Sequence, residues 1–151
     1  MKKLSLLLIA VLATLVPASA AFSEKRLEAT KKSAAEKGKL IAFFVEQEYK
    51  TGRTEPKDVV DVDSNNNAMK KAVPRKYVEL VMIDAGESRG VDKIPQCVQD
   101  AMKNKPQLIV TDAACTKVLA TLDGRPDRKK AEAFEKKVAE AAATAAAAGK
   151  K

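Results

Sequence analysis

The chain has no histidine and no tryptophan, only two cysteines, and an aromatic content of 4%. Without histidine there can be no Ser-His-Asp or Cys-His pair, no His-rich zinc site and no imidazole acid/base work. Few aromatics mean few stacking platforms for bases, and no nucleic-acid-binding motif accompanies the basic charge, so nucleic acid is not expected as a partner. The six glycines are dispersed, and none falls into the spacing of a phosphate-cradling or dinucleotide-binding loop. Beyond residue 20 there is no long apolar run. The best candidate, Leu40 to Val45, covers less than a third of the ~20 residues that a membrane span needs, so an integral membrane protein is not expected. These absences leave no catalytic residue to assign, and no cofactor or metal is expected.

The first 20 residues carry the parts of a cleavable secretory signal in order. Lys2 and Lys3 supply the positive start, and Leu4 to Val16 form an apolar stretch interrupted only by Ser5 and Thr14. Pro17 closes it before Ala18-Ser19-Ala20, an A-x-A cleavage site. The expected mature chain starts at Ala21, exported to a bacterial periplasm or secreted. Removal of the signal takes two lysines from a formal charge of +8, leaving +6. Such a balance permits attraction to an anionic surface, but the lysines alternate with Glu and Ala along amphipathic segments, as they do on solvated faces.

Residues 21–148 read as one domain with an alanine-rich last helix, and 149–151 as a disordered tail. Phe22 to Lys37 forms a helix with Ser23 at its N-cap and Gly38 past its end. Leu40 to Val45 is apolar on both faces and reads as a central strand. Asp58 to Asn67, acidic and amide-rich, reads as a loop, with Asn67 capping a short helix that stops before Pro74. A second strand follows at Tyr77 to Asp84. Pro95 opens a helix with Val98 and Met102 on its inner face. Gln107 to Thr111 and Lys117 to Leu122 form an antiparallel hairpin, and a closing helix runs from about Pro126 to Ala146 with Phe134 and Val138 inward.

The order helix, strand, helix, strand, helix, hairpin, helix resembles the thioredoxin-like superfamily across the whole mature chain. Two segments carry the resemblance: Lys39 to Glu46, similar to the family's first core strand, and Lys105-Pro106-Gln107-Leu108-Ile109-Val110, similar to the segment where a cis-proline opens the hairpin. It implies a three-layer α/β/α sandwich around a mixed sheet of about four strands, with an extra N-terminal helix, and it makes Pro106 a candidate cis residue. The family's redox loop, however, reads here Gln47-Glu48-Tyr49-Lys50-Thr51-Gly52. With no Cys-x-x-Cys, disulfide exchange at that position is chemically excluded. What the resemblance leaves is a redox-inactive module that binds a protein or peptide, with strand addition falling to Lys105 and Pro106 and recognition using the surface around Tyr49, Asn65, Asn66, Asn67, Lys105 and Pro106.

Other readings stay open. A secreted effector or surface-associated protein could bind host or envelope molecules through basic helical faces. A thiol-disulfide oxidoreductase could use Cys97 and Cys115. An even cysteine count in an exported chain favours one disulfide between them, closing a loop worth roughly 3 kcal/mol. The expected layout opposes it: with Cys115 at the far turn of the hairpin, strand residues at about 3.3 Å each carry the two beyond the ~7 Å Cα limit. Asp61-Val62-Asp63-Ser64-Asn65 opens like a calcium loop, yet Asn66 stands at the glycine position and Ala72 at the bidentate Glu position, so a polar loop is the better account. Asp84 and Glu87 are carboxylates at a strand end, more simply solvated than catalytic. Mass spectrometry of the exported protein should find an N-terminus at Ala21.

Overall fold

The computed structural model describes residues 22–47, 56–84 and 91–148. The signal segment, Tyr49, Glu87 and the tail 149–151 lie outside the described residues. The chain forms α1 (Glu24–Lys37), β1 (Leu40–Glu46), α2 (Pro56–Ala72), β2 (Val78–Asp84), a 3-10 turn (Val91–Lys93), α3 (Gln96–Met102), β3 (Leu108–Thr111), β4 (Val118–Leu122) and α4 (Arg128–Ala148). The fold is mixed α/β.

The four strands stand in the order β2-β1-β3-β4. β1 runs parallel to β2, with Leu40 opposite Val78 and Glu46 opposite Asp84. It runs antiparallel to β3, with Phe44 opposite Leu108. β3 and β4 form an antiparallel hairpin with a register shift between Val110 and Thr111. Side chains alternate across a strand, and β1 uses both faces. Leu40, Ala42 and Phe44 pack with Met69 and Val73 near the α2 end and with Phe134 and Val138 of α4. Ile41 and Phe43 pack the other way, with Leu27 and Ala34 of α1 and Val98 of α3. Helices therefore cover the sheet on both sides.

α1 begins at Ser23, whose backbone is extended but whose side chain makes no capping bond. It ends where Gly38 turns left-handed, with φ 62. There Gly38 N–H donates to Ala35 O at 3.3 Å and Lys39 N–H to Ala34 O at 2.8 Å, the two bonds of a Schellman closure. That closure delivers the chain into β1.

Two expectations are corrected here. Asp58 to Asn67 is no loop: α2 runs unbroken from Pro56 to Ala72. Asn, Asp and Ser each cost only a fraction of a kcal/mol in a helix interior. Burying Met69 and Val73, at 0% and 6% exposure, outweighs that penalty. Pro56 stands at the first helical position, where its missing N–H is harmless. Asn66 then occupies an inward position between Val62 and Met69, and a polar residue there hides the helical stripe. The second correction concerns Pro106, which follows a trans peptide bond, since no described bond is cis. The bend before β3 is made one residue earlier, by Lys105 at φ 55.

A Cβ added to Gly38 would meet nothing within 4 Å. Gly38→Ala therefore carries only the conformational penalty of the left-handed region and should lower unfolding free energy by about 1 kcal/mol in urea titration.

Candidate functional site

Where β1 ends and β3 begins, four carboxamides converge. The antiparallel pairing brings Val45 N–H to Gln107 O at 2.8 Å, and Gln107 N–H donates to Leu122 O at 3.1 Å. Gln107 is thus clamped between β1 and β4, and its residue is 3% exposed. α2 passes alongside and contributes Asn65 and Asn66. The Asn66 amide treats Gln47 as a neighbouring strand would: its Oδ1 accepts the Gln47 N–H, and its Nδ2 donates to Gln47 O, both at 3.2 Å. A side chain here takes over the backbone pairing that β1 would otherwise leave open at its end.

The remaining bonds close the group. Gln107 Nε2 donates to Asn66 Oδ1 at 3.2 Å. This leaves Gln107 Oε1 to accept from Asn65 Nδ2 at 2.7 Å, while the same Nδ2 donates to Gln47 Oε1 at 2.8 Å. Both acceptors fix the orientation of the Asn65 amide and turn its Oδ1 away, and that buried oxygen has no hydrogen-bond partner. Beside the cluster, Lys70 pairs with Glu46 at 3.0 Å and lies 5.6 Å above the Phe44 ring.

Of the residues expected from sequence, Asn65 and Asn66 meet in this cluster. Asn67 is exposed on another side of α2. Lys105 is exposed and Pro106 buried, immediately before Gln107. Gln47 and Gln107 were missed as site residues, although each is a polar residue abutting an apolar strand. Among the described residues no cluster of three metal-ligating side chains exists. The Asp61 to Asn65 segment is helical, so its backbone does not make the loop that a calcium site of this pattern needs. The cluster contains neither nucleophile nor titratable group. Its chemistry is confined to hydrogen bonding.

The cysteines form a second place, at the opposite end of β3. Both are free thiols. The expectation that the hairpin layout separates them is corrected by the position of Cys97, whose Sγ donates to Cys115 O at 3.2 Å. Cys115 turns left-handed, φ 58, in the connection between β3 and β4. This lets the connection fold back over α3. Burial pushes both thiols above their ordinary range, and nearby Asp112 adds to the rise. Asp112 organises the turn: its carboxylate accepts from Thr116 N–H at 2.7 Å, Thr116 Oγ1 at 2.6 Å and Lys117 N–H at 2.9 Å. Burial alone would raise its titration, but these bonds outweigh burial and hold it below the usual carboxylate range.

No protein-family profile, no curated protein and no solved structure matches this chain.

Two outcomes follow from these networks. Asn66→Ala unpairs Gln47 and Gln107 together and should cost about 2 kcal/mol of unfolding free energy, whereas Asn67→Ala should stay within about 0.5 kcal/mol. Because the Asp112 carboxyl is depressed in the folded state, its stabilisation is complete above the unfolded value of about 4 and is lost as pH falls through the folded value. Urea midpoints measured over acidic pH should therefore fall less steeply in Asp112→Asn than in the natural chain.

Proposed function

We propose that this chain is a thioredoxin-like domain without the redox centre, exported and working as a protein- or peptide-binding module. Two features support the fold reading: the sheet order β2-β1-β3-β4, with one parallel and two antiparallel pairings, and the helices on both faces. The binding reading rests on the unpartnered Asn65 Oδ1. A buried acceptor without a donor costs roughly 1–3 kcal/mol, and an extended peptide that displaces the groups covering this oxygen would supply the missing donor from its backbone. Beside it lies the exposed Gln47, whose carboxamide suits a main chain rather than a charged ligand. Such recognition is sequence-tolerant, and side chains of the partner would set specificity.

The test is titration of the labelled domain with peptides selected from an extended-peptide library, followed by backbone amide shifts. Binding should perturb Gln47, Asn65, Lys105 and Gln107. The double variant Asn65→Ala and Lys105→Ala should weaken binding by tenfold or more, about 1.4 kcal/mol, while the fold stays intact. Undiminished affinity in that variant would remove this surface from consideration.

A second reading has its own observation. A cleft of about 300 Å³ between the end of α2 and the start of α4 is bordered by Lys71, Arg75 and Lys76 and, on α4, by Arg128, Glu132 and Glu135, with Arg128 paired to Glu132 at 2.7 Å. Its excess of cations suits an anionic envelope or host molecule. Binding there should weaken steeply between low and physiological salt, where exposed charges are screened beyond about 8 Å. The peptide surface, built of amides, should show little salt dependence.

A further inference from the structure

Cys97 and Cys115 lie outside the amide cluster, and nothing in the binding reading uses them. Cys97 stands in the first turn of α3 and is half-buried. Cys115 is 7% exposed and belongs to the same apolar group as Val98 and Ile109. The two are 18 residues apart in the chain, yet Cys97 Sγ lies 3.2 Å from Cys115 O. That oxygen is two bonds from its own Cα, of about 1.23 and 1.52 Å, so the Cys97 sulfur lies within about 6 Å of the Cys115 Cα. The sulfur of one cysteine thus already stands against the backbone of the other, the approach a disulfide requires. The Cys115 thiol is itself near a polar neighbour it can release, Thr111 Oγ1 at 3.7 Å.

The Cys115 backbone does not drift. Asp112 holds the turn through three bonds, Cys115 N–H donates to Asp112 O at 3.0 Å, and Asp112 N–H donates to Lys117 O at 3.2 Å. α3 is likewise set against the sheet by Val98, at 0% exposure. Two sulfur-bearing residues are thus presented to each other by two fixed elements.

We propose that Cys97 and Cys115 are a modification site: an oxidisable dithiol whose disulfide ties the start of α3 to the β3–β4 turn. The oxidant is a small-molecule disulfide of the glutathione class. The half-exposed Cys97 thiolate attacks one sulfur of that disulfide, forming a mixed disulfide and releasing one thiolate, which takes up a proton. The Cys115 thiolate then attacks the Cys97 sulfur from within the protein and releases the second thiolate, which is protonated in turn. One protein disulfide forms, one small-molecule disulfide is reduced to two thiols, and the two protons lost by the cysteines are carried by those thiols. The second step is intramolecular, so the burial of Cys115 does not prevent it. The bond lies at the far end of β3 from Gln107 and therefore acts on stability rather than on the amide surface.

The reduced full chain should be incubated under native conditions with oxidised glutathione, alkylated and weighed intact. The expected product is lighter by two hydrogens, carries no alkyl group, melts roughly 10 °C higher than the reduced form and reverts with dithiothreitol. Cys115→Ser should instead retain one glutathione, on Cys97, and Cys97→Ser should take up none. A natural chain that keeps a glutathione adduct, links to a second copy, or still alkylates at both cysteines after oxidation overturns the proposal. Peptide binding that fails while the disulfide forms would discard the binding surface and leave this site standing.

Discussion

Everything in this domain hangs on the burial of one strand from both sides. Residues 40–44 of β1 are essentially solvent-free, and each large apolar side chain among them contributes about 1.5–3 kcal/mol on leaving water. One face needs α2 and α4, the other needs α1 and α3. A central strand of this kind also requires hydrogen-bond partners along both edges, and β2 and β3 supply them. Removing a Phe43 or Phe44 side chain would therefore loosen a layer as well as open a cavity.

The amide cluster is a consequence of the same strand. β1 is apolar until Val45, but the chain must leave the core, and at Gln47 its backbone polar groups still face protein on one side. Asn66 solves this by mimicking a strand from a helix. Gln107 and Asn65 then satisfy most of what Asn66 and Gln47 leave open. Such a network is strongest where water is excluded, and its one unsatisfied oxygen is for that reason conspicuous. Part of the basic charge of the protein is paired, as in Lys37 and Lys39 with Glu79, which hold that carboxyl below its ordinary range mainly through the Lys37 bond.

Most of the fold could be read from periodicity and punctuation. β1, β2, the hairpin and α4 are marked by apolar runs of the right length, and Gly38 marks the end of α1. α2 escaped because its inward stripe contains Asn66, so the triplet Asn65-Asn66-Asn67 reads as a loop. Pro106 misled in the other direction. The thioredoxin-like resemblance implied a cis bond there, whereas the left-handed turn sits on Lys105, a residue type that gives no such signal. For the site, Asn65 and Asn66 were found for a reason that proved incomplete, since their role depends on Gln47 and Gln107, 18 and 42 residues from Asn65.

What the sequence determines by itself is local: the alternation of buried strands and amphipathic helices, the turn at Gly38, and the absence of histidine and of a Cys-x-x-Cys pair. These depend on neighbours a few residues apart or on composition alone. Tertiary structure decides which distant residues meet. It carries Cys97 onto the Cys115 carbonyl because the β3–β4 connection folds back over α3. It joins four carboxamides because a helix crosses the end of a sheet. Contacts of that kind arise from packing layers against each other, and no spacing along the chain encodes them.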